Sequence, residues 1–275
     1  MTIFLSYYEP FAGLCNQLYL ITNHIHEAYT IGTDIYIDLF NVDIFKKNRV
    51  PANEVLDIKK TNKNLNVLLG RDLLRLEKPK EFYIPKLCIY PVSSVEILKS
   101  LEFHPRILEK VPSGQFNVIH FRMDVDVVIQ KNFGMETYNY FMGLCNSNPT
   151  DAKLFAERTT NQEKVFLFID NLMKQYITFI DKIKNGNSWY ICTSVGKNPV
   201  HNCMIPFLEK IIEYIGMENI YPTEVYFHER ELNALVDLLV MKNAKTVIGF
   251  EGSSFSEGYA YKTSDAGKDW YFVKI

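Results

Sequence analysis

The chain has 275 residues, 47% of them hydrophobic and 14% aromatic, which is enough for one large α/β domain or two small ones with a substantial core. A net charge of -2 and a pI near 6.3 exclude a general electrostatic pull toward nucleic acid. No apolar run approaches the roughly 20 residues that span a bilayer, and the opening MTIFLSYYEP has neither the basic nor the long apolar region of a signal peptide. The five cysteines, Cys15, Cys88, Cys145, Cys192 and Cys203, are odd in number and form no CxxC pair. They read as reduced thiols of a cytoplasmic protein, not as a disulfide framework or a zinc site.

Thr2 to Tyr7 is a short apolar run, the first predicted strand, broken by Glu9, Pro10 and Gly13. Leu14, Leu18, Ile21, Ile25 and Ala28 then recur at helical spacing, and Gly32 stops that helix. Asp34 to Phe40 alternates like a strand, so the chain opens β-loop-α-β, the unit of a doubly wound sheet. The stretch from Asp43 to Pro91 is rich in Asn, Lys and Pro and predicts short strands and exposed loops. A serine-capped helix is expected over Ser93 to Leu101, and the run Pro112, Ser113, Gly114 is the candidate domain boundary.

Asn117 to Asp126, NVIHFRMDVD, is an apolar strand that ends in charge. Gln130 to Thr150 reads as an irregular, mobile loop near a site. An amphipathic helix is predicted over Gln162 to Lys184, a strand over Ser188 to Thr193, and helices over Cys203 to Ile215 and Glu229 to Lys242. The strand Thr246 to Phe250 leads into a small-residue turn, Glu251 to Ser256, and a helix-like segment, Glu257 to Lys262. Strand and helix alternate through this half, which predicts a parallel sheet with right-handed crossovers.

Three stretches can carry chemistry. In open α/β sheets ligands bind beyond the carboxyl ends of the strands, and Arg122 stands at such an end. Its guanidinium matches a diphosphate with two parallel hydrogen bonds and keeps its charge at every pH; a buried strand followed by a solvated charged loop has the same look. Gly252, Ser253, Ser254 and Phe255 lie between a strand and a helix, where backbone N–H groups and hydroxyls make a phosphate cradle; an ordinary serine-capped helix has the same look. Asn16 and Gln17 sit at the first β-to-α turn, within reach of a ligand at the sheet edge, or simply as exposed amides at a helix start. Asp124 and Asp126 form a D-x-D pair of the kind that holds a divalent ion on the diphosphate in many metal-dependent sugar transferases. The GxxxxGK[ST] pattern and the G-x-S-x-G elbow are both missing from the sequence.

These pieces, in this order, resemble the fucosyltransferase superfamily, which includes the α1,2- and α1,6-fucosyltransferases and the protein O-fucosyltransferases. The match lies in GLCNQLYL from Gly13 to Leu20, in GTDIYID ending at Asp38, in His120 and Arg122 as a His-x-Arg motif, in WYICTS from Trp189 to Ser194, and in LVDLLVMKNAKTVIGFEGSSFS from Leu235 to Ser256. Met123 stands where the α1,2 and α1,6 enzymes carry a second arginine, Val125 where they carry an acid, and Ser194 where an acid usually follows the WYICT-like strand. Asp126 matches the spacing of the protein O-fucosyltransferases.

The resemblance implies an α/β, GT-B-like fold of two Rossmann-like lobes with a cleft between them. Residues 1–113 would form the acceptor lobe and 114–275 the nucleotide-sugar lobe, with Asn16, Arg122 and Ser254 converging on the cleft. It implies inverting, metal-independent transfer of fucose from GDP-fucose to a glycan or glycoprotein acceptor, with no cofactor beyond the donor. Arg122 would bind the β-phosphate, His120 and Asp126 line the nucleotide pocket, and Asp237 touch the nucleotide. Ser253, Ser254 and Phe255 would hold phosphate and base, and Asn16 would face the sugar or acceptor. Glu9 is the candidate general base, with Asp38, Asp124 and Glu251 competing. The alternatives are another nucleotide sugar, a metal-dependent transferase using Asp124 and Asp126, or a non-catalytic nucleotide- or sugar-binding module.

Overall fold

The computed structural model describes residues 2–6, 13–32, 34–37, 39–43, 46, 48–57, 67–69, 81–83, 94–147, 160–183, 185–197 and 199–275. Glu9, Asp38 and Cys88 lie outside these residues. The chain divides into two compact units. Unit 1 is Met1–Ser113, Glu224–Asn243 and Gly258–Asp265, and unit 2 is Gly114–Thr223, Ala244–Glu257 and Ala266–Ile275. Two late segments of the chain therefore belong with the N-terminal part.

In unit 1, strand β1 (Thr2–Ser6) is followed by helix α1 (Leu14–Ile31) and strand β2 (Asp34–Ile37). With β5 (Val67–Leu69) and β6 (Glu81–Tyr83) they form a parallel sheet in the order β5-β2-β1-β6. The helical periodicity of the sequence is realised: Leu14, Leu18, Ile21, Ile25 and Ala28 are all buried on α1. Gly32 closes the helix at φ 67, a left-handed position that favours glycine. The alternating run from Asp34 is not one strand. It breaks after Ile37, and β3 (Leu39–Asp43) pairs antiparallel with β4 (Asn48–Pro51) in a separate hairpin. Gln17 takes the backbone of that hairpin: its amide accepts from Asn41 N–H at 2.8 Å and donates to Asn41 carbonyl at 3.1 Å. Gln17 is fully buried, so it is a packing residue and not the ligand contact its position suggested. Ser94 caps α2 (Val95–Ser100) by accepting from Ile97 N–H, and α3 (Pro105–Leu108) follows.

In unit 2, β7 (Asn117–His120), β8 (Trp189–Cys192), β9 (Thr246–Phe250) and β10 (Asp269–Val273) form a second parallel sheet in the order β10-β9-β7-β8. Every residue of β7, β8 and β9 is buried, the pattern of strands covered on both faces. The stretch expected to be a loop, Gln130 to Thr150, is helical as far as it is described: a π-helical turn, Asp126–Gln130, runs into helix α4 (Lys131–Ser147), which kinks at Gly134 (φ 82), and residues 148–150 lie outside the described residues. Helix α5 (Thr160–Lys182) packs Ile169, Met173, Tyr176 and Ile180 into the core that also holds Ile119, Phe121 and Ile248. Helix α6 (Ile205–Ile215) follows a 3-10 stretch, Pro199–Met204. Helix α7 (Arg230–Asn243) belongs to unit 1. The helix-like segment expected from Glu257 to Lys262 is helical and starts earlier, as a π-helix over Ser254–Tyr261.

The order β10-β9-β7-β8 positions the site. From β7 the chain goes to β8 on one side, whereas β9 is followed by β10 on the other. The connections diverge between β7 and β9, which is the switch point where doubly wound sheets bind ligands.

Candidate functional site

The end of β7 continues as an alternation. Phe121, Met123 and Val125 are buried in the core of unit 2, and Arg122, Asp124 and Asp126 are the residues left at least partly exposed between them. The strand itself has ended and Val125 is already helical, at φ -59 and ψ -36, yet this alternation of burial leaves one cation and two carboxylates accessible. It also explains Met123 and Val125: both positions are fully buried, where an unpaired charge carries a large desolvation cost.

Arg122 is anchored at its backbone and at the tip of its side chain. Its backbone N–H donates to the His120 carbonyl at 3.0 Å and to the Tyr176 hydroxyl at 3.2 Å, and that hydroxyl donates to the same carbonyl at 2.8 Å. Its Nη1 donates to Ser253 Oγ at 2.8 Å, across the switch point from β7 to the turn after β9. Its Nε lies 3.6 Å from the Asp124 carboxylate. Burial pushes the Tyr176 phenol up, so it remains a neutral donor.

The turn after β9 is built tightly. A Cβ on Gly249 would sit 2.9 Å from the Phe272 ring and 3.2 Å from the Ser256 Cβ, so only glycine lets β9 approach both. Gly252 takes φ 72 and donates its N–H to the Glu257 carboxylate at 2.6 Å. Ser253 Oγ accepts from Phe255 N–H at 3.2 Å and Ser256 N–H at 3.4 Å, capping the π-helical turn as it receives Arg122. Ser253 is buried, whereas Ser254 and Phe255 are partly exposed. The Phe255 ring lies 5.1 Å from that of His120. His120 is itself buried and its imidazole is held well below its ordinary pKa, first by burial and then by the Arg122 charge, so it stays neutral.

Asp124, visible in the sequence as half of the D-x-D pair, is a hub whose partners the sequence did not show. Ser194 Oγ donates to its Oδ1, and His201 Nε2 lies 3.7 Å from the same oxygen. Ser194, where the resembling family has an acid, thus receives a carboxylate from the neighbouring loop. His201, in the stretch Pro199–Met204, carries no motif in the sequence and was not among the candidate residues. Asp124, Asp126 and His201 offer ligand atoms within 4.8 Å of one another, close enough to share a cation.

Unit 2 brings together His120, Arg122, Asp126, Ser253, Ser254 and Phe255 of the expected set. Asn16, partly buried on α1, and Asp237, buried on α7, belong to unit 1. Glu9 lies outside the described residues.

The sequence matches no family model and no curated protein. The structure is similar to the fucosyltransferase NodZ from Bradyrhizobium, with a TM-score of 0.53 and 11% identity over 94% of this chain and 92% of that one. It is similar to the NodZ alpha-1,6-fucosyltransferase soaked with GDP-fucose, with a TM-score of 0.53 and 10% identity over 95% and 92% of the two chains. It is also similar to POFUT1 in complex with GDP, with a TM-score of 0.55 and 13% identity over 100% and 98%. The fold is that of these fucosyltransferases, α/β with parallel sheets, as the motif resemblance implied.

Proposed function

We propose that the chain is an inverting glycosyltransferase that moves fucose from GDP-fucose to a hydroxyl of a glycan or protein, with arginine in place of a metal at the diphosphate. The observation that carries this reading is Arg122, fixed to Ser253 at the switch point of a fold shared with NodZ soaked with GDP-fucose and with POFUT1 in complex with GDP. In this reaction the acceptor oxygen attacks the anomeric carbon as the bond to the phosphate oxygen breaks on the opposite face. Negative charge grows on the departing GDP, and a guanidinium already in place lowers the barrier without reorganisation. Ser253, spent on Arg122 and its own turn, aims the arginine, and Ser254 and the backbone after Gly252 receive phosphate. His120 and Phe255 form the neutral wall of the nucleotide pocket, with Asp126 at its rim.

In the same reading residues 1–113 form the acceptor lobe, with Asn16 facing the sugar or acceptor and Glu9 the candidate base. The nucleotide lobe begins at residue 114 and excludes the segments 224–243 and 258–265, which go with the acceptor lobe; Asp237, on the first of these, contacts the nucleotide, with a cleft between the lobes and a reducing, cytoplasmic setting for the thiols. The second reading is metal-dependent transfer through Asp124 and Asp126, favoured by the proximity of both to His201.

Thermal-shift titration tests the donor. A ligand at about a hundredfold its Kd adds ~2.7 kcal/mol to stability, and GDP should stabilise the chain more than UDP at equal concentration. Initial rates of GDP-fucose turnover, with water or a glycan as acceptor, test the mechanism. Turnover should survive EDTA, and Arg122→Ala should lose roughly 10²–10³ in rate, the contribution of one pre-organised donor to developing charge. Arg122→Lys should recover only part, because lysine lacks the planar fork. Abolition by EDTA, or full activity in Arg122→Ala, would overturn the proposal.

A further inference from the structure

The contact set around Asp124 assigns a task to His201. We propose that His201 is a positioning residue: with Ser194 it fixes the Asp124 carboxylate, and Asp124 in turn aims the Arg122 guanidinium at a diphosphate. This rests on the nucleotide-sugar reading of Arg122 and adds to it the device that holds the arginine.

Which way the imidazole is wired decides between this role and cation binding. His201 Nδ1 accepts the Val125 backbone N–H at 3.3 Å. An accepting Nδ1 puts the ring proton on Nε2, the nitrogen that lies 3.7 Å from Asp124 Oδ1. The ring therefore presents an N–H to the carboxylate. A metal-binding histidine is wired the other way, with its distal nitrogen donating to a carbonyl or carboxylate so that the near nitrogen has a free lone pair. The closeness of Asp124, Asp126 and His201 is thus read as a polar cluster around the Asp124 carboxylate, with a hydrogen bond from Ser194 and longer electrostatic contacts from His201 at 3.7 Å and Arg122 at 3.6 Å. Nε2–H and the Ser194 hydroxyl face Oδ1, and Arg122 Nε faces Oδ2.

The wiring is also local to the loop it serves. Val125, whose N–H holds His201, is the neighbour of Asp124. The Asp124 carbonyl accepts from Val127 and Val128 N–H, both at 3.0 Å or less, so the backbone that carries the carboxylate is pinned to the turn that follows. His201 is buried, and its position is set by packing and not by solvent. The arginine is consequently held by one hydrogen bond, Ser253 on Nη1 at 2.8 Å, and steered by a longer ion pair with Asp124, whose carboxylate lies 3.6 Å from Nε without a hydrogen bond. A hydrogen bond on one nitrogen and a carboxylate charge facing another bias the plane of the guanidinium, which a bidentate phosphate interaction needs. Ser253 is reached from β9 and Asp124 from the β7 loop, so the loss of either support tilts the fork without removing its charge.

A double-mutant cycle on GDP affinity, read by calorimetric titration, tests this. Arg122→Ala should weaken GDP roughly tenfold or more, the range of a charge-assisted phosphate contact. His201→Ala should weaken it by about threefold to tenfold in the wild-type background and by less than about twofold in the Arg122→Ala background, since a residue acting through Arg122 has nothing left to position. His201→Gln places an amide N–H near the former Nε2 and should recover most of the loss, whereas His201→Leu, of similar volume but with no N–H, should not; equal recovery in both would mark a mere packing defect and overturn the positioning role. Additive effects of His201→Ala and Arg122→Ala, with GDP binding intact in the wild type, overturn the positioning role and leave the nucleotide reading standing. If wild-type affinity for GDP rises sharply with Mn²⁺ and His201→Ala abolishes that rise, the histidine is a ligand and the proposal fails. A wild type that binds no GDP defeats the nucleotide reading itself, and the positioning role with it.

Discussion

Tyr176 shows how single atoms of the scaffold reach the site. Its hydroxyl reads the last carbonyl of β7 and the first N–H of the arginine, at 2.8 and 3.2 Å. Tyr176→Phe removes both contacts, but the Arg122 N–H keeps the His120 carbonyl at 3.0 Å. The expected loss of stability is therefore only about 1 kcal/mol, the net worth of one buried hydrogen bond, or a few degrees in Tm. Under the proposed function GDP affinity should fall with it, because the arginine loses a backbone tether. Thermal melts and GDP titration of the variant check both, and an unchanged melting temperature would contradict the tether. At this scale the sequence was half legible. Arg122 announced itself by ending an apolar run, and Ser253 by following Gly252. His201 did not, because it sits between Val200 and Asn202 with no spacing that links it to residues more than seventy positions earlier. Asp124 was visible, but only the fold shows that its first partners are a serine, a histidine and an arginine.

Helix α1 begins at Leu14 without a side-chain cap from Gly13. The missing acceptor comes from far along the chain: Leu14 N–H donates to Glu231 Oε2 at 2.9 Å, a carboxylate in the first turn of α7. Burial is the main cause that raises the Glu231 pKa, and Arg230 and Leu14 offset part of it. A carboxyl group with a raised folded-state pKa favours folding as pH falls and opposes it as pH rises through that pKa, so at neutral pH the buried charge is a cost. Glu231→Gln keeps an acceptor for Leu14 and removes the charge. Glu231→Ala leaves the N–H unpaired and should cost about 1–2 kcal/mol. The expected order of melting temperatures at neutral pH has Gln at or above wild type and Ala below. If Gln melts as low as Ala, the charge and not the acceptor is what holds the two helices. Elements of this kind were legible where periodicity was long and unbroken, as in α1, α5 and the buried strands β7, β8 and β9. They were misread where glycine and asparagine punctuate a real helix, as Asn132, Gly134 and Asn139 do in α4. The run Asp34 to Phe40 was misread for the opposite reason: its alternation is continuous across a break between two sheets. Strand β10, Asp269–Val273, was not identified from the sequence.

For the whole molecule, two parallel sheets follow from the two alternating stretches of strand and helix, but the return of Glu224–Asn243 and Gly258–Asp265 to unit 1 is not written in any local pattern. It depends on which surfaces bury which helices. Each unit also buries a neutral histidine. His24 of unit 1 is held down to about 4 by burial, from an ordinary value of 6.5, and His120 of unit 2 is held well below its ordinary value. The sign follows from proton counting. Between about pH 4 and 6.5 the unfolded chain binds more protons at His24 than the folded one, so its contribution is complete above 6.5 and is lost as pH falls toward 4. From pH 7 to pH 5 that loss comes to about 2 kcal/mol from His24 alone. Comparing wild type with His24→Gln cancels Glu231, which acts in the opposite direction in both. Denaturant unfolding followed by circular dichroism should show the variant losing about 2 kcal/mol less than wild type over this interval. Both tryptophans, Trp189 and Trp270, lie in unit 2, so their fluorescence reports that unit. If the units unfold separately, the fluorescence-detected transition should keep its full acid sensitivity in His24→Gln, because His120 is untouched. If they unfold as one, both probes should show the same reduced loss. An acid loss by circular dichroism that is identical in wild type and variant would mean that the burial of His24 does not carry the pH dependence of unit 1.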